Sequence, residues 1–313
     1  MPADWKQPCL AGDLFYQAGD KPGPPLVAGA EQVAEGDVLN LMPTIGNGYL
    51  ATFVASDAIY AAGLFNGDSM GALGPVSHRA AIPAYHIQVG SAANATVVGR
   101  ALDVRKAVFM VRSTLENGFA VEERWYAPLD KPSLLVHEMT FTAASGGTAG
   151  HVGFSAKPPT TSPDLNLTKL KPMMGGPVRW NGSNVHGELG NATTLAMVAT
   201  DAAMEPLIVA PGSPKTAYFL TAIVTSLNST DPLTDATKVY EDAMLSKDSL
   251  LDAHVTGWAK RWEMGSLEVA GDLFFAQALN ASLYAIRASI REDWPYGLSP
   301  GGLASNAYEG HTL

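Results

Sequence analysis

Two short polar clusters flank one loop, Asn66-Gly67-Asp68 and Ser77-His78-Arg79. Asn, Asp and His side chains make short, directed hydrogen bonds of the kind that sugar hydroxyls accept and donate. For Asn66-Gly67 plain turn formation is the competing reading. A second polar set closes the sequence, where the glycine-rich stretch 296–311 ends in Tyr308-Glu309-Gly310-His311. Its glycines permit tight backbone paths and its polar groups can point into a site. Asn66, Asp68, His78, Arg79, Tyr308, Glu309 and His311 are therefore the candidate substrate-binding residues. The carboxylates Glu292, Asp293 and Glu309 stand near one another in this last region. Glycosidic cleavage takes two carboxyl groups roughly 5–5.5 Å apart for retention or 6.5–9.5 Å apart for inversion. Sequence spacing alone does not place a pair in that way, so no residue is assigned as catalytic.

Other chemistries lack their residues. The seven histidines, His78, His86, His137, His151, His186, His254 and His311, form no HExxH pair, and the single cysteine, Cys9, cannot build a thiolate site. His137-Glu138 falls on an apparent strand, where neighbours face opposite ways. No Gly-X-Ser-X-Gly elbow is present, and no Lys-Ser/Thr follows a glycine run. No metal and no cofactor is expected.

The elements that must position these residues fall into two regimes. From about 49 to 226 the chain shows short runs of alternating or continuous apolar residues with turns between them: 49–54, 57–65, 85–89, 96–98, 100–105, 107–114, 119–126, 134–142, 151–155, 195–200, 207–210 and 217–226. Asn117-Gly118 between two of these runs is a strong hairpin signal. A further short run is expected at 38–41. Many short strands without helical crossovers imply a mainly β fold, a large antiparallel β-sandwich. The Pro/Thr/Lys-rich stretch 158–177 reads as an exposed loop. After 235 the apolar period becomes helical. One helix is expected over 237–262, with His254, Trp258 and Trp262 on one face and the two tryptophans packed on the sandwich. A second is expected over 272–291, capped by Asp272 and stopped by Pro295. Its packed stripe is predicted to be Phe275, Leu279, Leu283, Ile286 and Ile290, widened by Phe274, Ala278, Ala281 and Ala285, with one side of the stripe left unburied.

Composition sets outer bounds. A chain of 313 residues with 47% apolar and 16% charged residues can bury a sizeable core. The net charge of -10 is spread along the chain without a Lys/Arg block. That argues against nucleic acid as a partner, because phosphate contacts need clustered positive charge. No stretch approaches the roughly 18 apolar residues of a membrane helix, and residues 1–16 do not read as a signal peptide. Asn-X-Ser/Thr triplets occur at Asn94, Asn166, Asn181, Asn191, Asn228 and Asn280. They are expected either as chance triplets or as marks of a secreted, lysosomal or vacuolar protein whose N-terminus is incomplete. The site at Asn280 falls inside a packed helix and is expected to be unused. On the chance reading the compartment is cytoplasmic.

Several segments, taken in order, resemble glycoside hydrolase family 65. They are 41–50 (Leu-Met-Pro-Thr-Ile-Gly-Asn-Gly-Tyr-Leu), 62–67 (Ala-Gly-Leu-Phe-Asn-Gly), 77–80 (Ser-His-Arg-Ala), 101–109, 124–127 (Arg-Trp-Tyr-Ala), 135–138 (Leu-Val-His-Glu), and 297–303 through 308–311. The family holds acid trehalases, maltose and kojibiose phosphorylases, and a glucosidase that trims glucosylgalactosyl-hydroxylysine. Met42-Pro43-Thr44 and Ser77-His78-Arg79 look closest to the last branch. The resemblance implies a galactose-mutarotase-like super-sandwich, linker helices, and an (α/α) barrel that begins here and is truncated. The domains implied are an N-terminal extension at 1–37, the sandwich at 38–232, a helical linker at 233–265 and the start of the catalytic barrel at 266–313. It further implies an inverting α-glucoside-cleaving enzyme with a carbohydrate ligand and the missing barrel as packing partner. In the family the Gly-His pair is followed by an aromatic pair and a sugar-contacting Asp, whereas here the sequence reads His311-Thr312-Leu313. The family's general acid maps to no residue present, so the chain as given is expected to be inactive. A non-catalytic carbohydrate-binding module and a disaccharide phosphorylase are the alternatives.

Overall fold

A computed structural model describes residues 1–18, 44–54, 56–67, 77–90, 95–157, 159, 161–171, 175–187 and 190–298. In chain order the strands are β1 (Leu14–Ala18), β2 (Thr44–Gly46), β3 (Leu50–Phe53), β4 (Ala58–Ala61), β5 (Phe65–Asn66), β6 (His78–Arg79), β7 (Ile82–Pro83), β8 (His86–Val89), β9 (Ala95–Asp103), β10 (Val108–Leu115), β11 (Ala120–Tyr126), β12 (Leu134–Thr142), β13 (Gly150–Val152), β14 (Phe154–Lys157), β15 (Leu165–Lys169), β16 (Val178–Asn184), β17 (Thr194–Ala199), β18 (Leu207–Val209) and β19 (Lys215–Thr225). The helices are α1 (Ala3–Leu10), α2 (Pro232–Leu245), α3 (Leu250–Glu263) and α4 (Leu273–Ser289).

The alternating runs build an antiparallel sheet of nine strands in the order β1-β9-β10-β11-β12-β19-β17-β16-β15. Against its inner face lie the four-stranded sheet β2-β3-β4-β7 and the pairs β5-β6 and β8-β14. The expected large antiparallel sandwich is the observed fold. The predicted hairpin is β10–β11, with Gly118 in the left-handed region at φ 82°.

Strand periodicity decides where the core sits. On β12, Leu135, Met139 and Phe141 face the second layer, while Leu134 and Val136 face out under α2. On β17, Leu195, Met197 and Ala199 face in and Ala196 and Val198 face out. The middle of the long sheet is therefore buried on both faces, which is why β17 reads as an unbroken apolar run. His137 and Glu138 point to opposite sides as a strand requires. His137 bonds Glu123 at 3.0 Å and stacks on Trp125, while Glu138 accepts from the Tyr126 hydroxyl. Burial raises the Glu138 carboxyl above its ordinary range.

The helical region departs from the sequence expectation in two ways. The single helix expected over 237–262 is two. Asp231 caps α2 by accepting from Thr234 N at 3.2 Å, and the helix ends at Ser246, whose hydroxyl bonds back to Asp242 O at 2.9 Å. A 3-10 turn, Lys247–Ser249, follows before α3. On α3, Trp258 and Trp262 are buried as predicted, with Trp262 in contact with the guanidinium groups of Arg105 and Arg287 at 4.3 and 4.2 Å.

The second departure concerns which face of α4 packs. Asp272 caps it as expected, accepting from Phe275 N at 3.0 Å. The packed face, however, is Ala276, Gln277, Asn280, Tyr284 and Ala288, and of the predicted stripe Leu283 and Ala281 pack beside it. Phe274, Phe275, Ile286 and Ile290 are more than half exposed. At both ends of this face the contact is made by small residues because the neighbouring backbone comes close, while Tyr284 fills the space between them. A Cβ on Gly12 would stand 3.1 Å from that of Ala276, and one on Gly46 would stand 2.9 Å from Ala288 O.

Two boundaries also moved. β1 joins the long sheet at its edge, ahead of the limit expected at 38, because 14–18 pairs in register with β9. The stretch 158–177, expected as an exposed loop, contains β15 and a buried carboxylate, Asp164. The strand expected at 38–41 lies outside the described residues.

Candidate functional site

The hairpin β5–β6 carries three of the sequence candidates. Its register sets Phe65 opposite Arg79 and Asn66 opposite His78. Gly67, at φ 117°, turns the chain out of β5 in a conformation that side chains rarely adopt.

Asp164 is the hub beneath this hairpin, and both its oxygens are engaged. Oδ1 lies 2.7 Å from His78 Nε2 and accepts from Asn66 Nδ2 at 3.4 Å. Oδ2 accepts from Ala81 N at 2.9 Å. Asn66 is buried, and its Oδ1 accepts from His186 N at 2.7 Å, while Gly67 N donates to His186 O at 3.0 Å. Asn184 completes the frame by donating to Phe65 O at 2.8 Å. Strand β5 is thus sewn to the turn after β16 by its own polar groups.

Arg79 is buried with its guanidinium over the Tyr60 ring at 5.3 Å. Burial pushes the Tyr60 phenol up to about 12, and burial also lowers Arg79. The two residues form a cation–π pair within the layer. His78 differs from both, with 31% of its side chain accessible. It presents an imidazole edge fixed by a carboxylate, a directional polar group suited to a sugar hydroxyl. Among the described residues the cluster holds one carboxylate, and that one is fully engaged.

Close by, the turn Gly46-Asn47-Gly48 joins the sandwich to α4. Asn47 is fully buried and donates to Pro128 O and Pro132 O at 2.9 and 3.0 Å, while its Oδ1 accepts from Tyr49 N and Leu50 N. Gly48 N donates to Ala288 O at 2.8 Å, and the Tyr284 hydroxyl donates to Thr44 O at 2.8 Å. After α4, Trp294 donates to Ala62 O at 3.0 Å and its ring meets Tyr49 edge-on. A Cβ at Gly63 would stand 2.7 Å from the Tyr296 ring. The segment leaving α4 therefore runs against the turn just before β5.

Of the sequence candidates, Asn66, His78 and Arg79 are brought together here. Asp68, Tyr308, Glu309 and His311 lie outside the described residues. Asp293 is clamped by Arg291 through bonds of 2.7 and 2.8 Å, which hold its carboxyl below the ordinary carboxylate range. It is unsuited to donate a proton near neutral pH. Sequence reasoning missed Asp164, Asn184 and His186. The signal for Asp164 was the alternation Leu165-Asn166-Leu167-Thr168 that follows it, masked by the prolines and lysines around it.

No protein-family model matches the chain. Individual relatives do. The chain is 30% identical over 285 residues, 87% of its length, to protein-glucosylgalactosylhydroxylysine glucosidase of Dictyostelium discoideum. Over most of its length the chain is homologous to glycoside hydrolase family 65 proteins. The glucosidase of the same name from Mus musculus is 28% identical over 287 residues, or 86% of the chain. The chain spans 39% of the length of each of these relatives. In structure it superposes on a human-microbiome protein assigned as a kojibiose phosphorylase with a TM-score of 0.61 at 15% identity, covering 86% of this chain and 40% of that one. At that identity the likeness establishes the family 65 fold alone.

Proposed function

We propose that this chain forms the β-sandwich and connector portion of an inverting enzyme that cleaves an α-glucosyl disaccharide, with glucosylgalactosyl-hydroxylysine as its substrate. The observation that carries this reading is the 30% identity, along 87% of the chain, to a glucosidase named for that substrate. On this reading the sandwich has a positioning role. Asp164 fixes His78 on hairpin β5–β6, and the turn just before β5 packs against the segment that leaves α4. Asn66 and Arg79 hold the hairpin from within. His78, Asp68, Tyr308, Glu309 and His311 supply the contacts to sugar hydroxyls. Bond cleavage needs two carboxyl groups flanking the glycosidic oxygen. The described cluster offers only Asp164, already bound, so its part is binding and orientation rather than proton transfer.

The test is glucose release from glucosylgalactosyl-hydroxylysine by the protein purified from its source, with and without inorganic phosphate. Phosphate-independent glucose release is expected, reduced at least tenfold in His78→Ala through a raised KM. Glucose 1-phosphate formed only with phosphate would make the enzyme a phosphorylase instead. Sugar binding without turnover would make the chain a carbohydrate-binding module, and neither binding nor turnover would reject the reading.

A further inference from the structure

We propose that Asn166, Asn181, Asn191 and Asn228 are acceptors of N-linked glycans, those at Asn166 and Asn181 standing on the outer face beside the β15 edge of the long sheet. The sequence contains 12 asparagines, six of them in Asn-X-Ser/Thr triplets, while Ser and Thr together make up 41 of its 313 residues. Chance placement would put only one or two asparagines in such triplets, so the excess calls for a cause.

The fold sorts these triplets. Asn166, Asn181, Asn191 and Asn228 are all exposed, whereas Asn280 is 3% exposed inside the packed face of α4. Asn280 Nδ2, the atom that would carry a glycan, donates to Gly12 O at 3.2 Å and Asp13 Oδ1 at 3.1 Å. A glycan there is incompatible with the docked helix. Asn228 shows the opposite arrangement: its Oδ1 accepts from the Tyr49 hydroxyl at 3.3 Å. That bond survives substitution at Nδ2.

The four acceptors also share one region. Leu165 is buried in the core and Leu167 packs against it, which turns Asn166 and Thr168 to the outer face. Asn181 is the cross-strand partner of Thr168 and faces the same way. The helix α2 packs over β17 and β19 and leaves this outer face of β15–β16 uncovered. Asn191 precedes β17 and Asn228 follows β19, at ends joined by the bond from Ser226 N to Thr194 O at 2.8 Å. Among the described residues β15 is the terminal strand of the sheet, and a free edge is an invitation to strand pairing between molecules that proteins block with bulk or charge. A glycan at Asn166 or Asn181 supplies that bulk.

The donor is a lipid-pyrophosphate-linked oligosaccharide of the secretory lumen. Nδ2 bonds to the anomeric carbon, the bond from that carbon to the pyrophosphate oxygen breaks, and the amide loses one proton. The inference is independent of which reaction the protein serves.

Protein isolated from its source is to be treated with peptide N-glycosidase in ¹⁸O-water and its peptides sequenced by mass spectrometry. Conversion of asparagine to ¹⁸O-labelled aspartate is expected at two or more of the four sites, with none at Asn280, and enzyme treatment should increase electrophoretic mobility. Each occupied site replaced by Gln should remove one mobility step. Label at fewer than two of the four sites, or label at Asn280, would overturn the proposal.

Discussion

At the residue scale, Asp164 and His254 carry the strongest commitments. Asp164 is nearly buried, and its removal would leave three polar partners without their acceptor. Asp164→Ala is expected to cost about 2–4 kcal/mol and Asp164→Asn less, read as a lower urea midpoint at constant m-value. An unchanged midpoint in Asp164→Ala would show that the hub does not hold the hairpin. His254 is fully buried and lies 3.2 Å from the carbonyl of Ala107, a residue held at φ 55° in the β9–β10 turn. Burial lowers the imidazole from 6.5 to about 4. Between those pH values the unfolded chain binds the proton and the native chain does not, so stability rises with pH across this window. The contribution is complete above about pH 6.5 and is lost as pH falls toward 4, on the order of 3 kcal/mol in total. In His254→Gln, which does not titrate, this slope should flatten in denaturation curves taken at several pH values.

At the element scale the joint between sandwich and helix is the sensitive place. Gly48 has φ 86°, and a Cβ there would stand 2.4 Å from the carbonyl group of Ile290. Gly118 has φ 82° with nothing within 4 Å of a Cβ. Both positions disfavour L side chains by about 1–2 kcal/mol, and only Gly48 adds a backbone clash. Gly48→Ala should therefore lose about 3 kcal/mol or more, against about 1 for Gly118→Ala, with thermal melting as the measure. Equal losses would mean that α4 contributes little to the fold. The same joint explains why the packed face of α4 was misread from sequence. Apolar periodicity selected Phe275, Ile286 and Ile290, but the close approach of Gly12 and Gly46 puts Ala276 and Ala288 at the contact, with Tyr284 buried between them. A helix with a mixed face of alanines and Tyr284 and a second, wholly apolar face carries two packing surfaces, and periodicity does not say which one is used within the chain.

At the scale of the whole molecule, that choice leaves Leu273, Phe274, Phe275, Ile286 and Ile290 open to solvent on α4. Such a face is an association liability. The chain is expected to self-associate in sedimentation velocity runs, and Phe275→Ser with Ile286→Ser should shift it toward monomer with little change in melting temperature, since neither side chain is buried. A monodisperse parent chain would refute this. The sequence by itself determined the mainly antiparallel sandwich, the β10–β11 hairpin, the cap at Asp272 and the burial of Trp258 and Trp262. Each of these rests on local signals: period 2 or 3.6, turn dipeptides, and capping residues. Only the tertiary structure decided that Asp164 anchors His78 across 86 residues, that Asn66 and Arg79 face inward, and that α4 docks by the face of Ala276, Tyr284 and Ala288. Those outcomes depend on which surfaces meet at distances of a few ångströms, and no window of neighbouring residues contains that information.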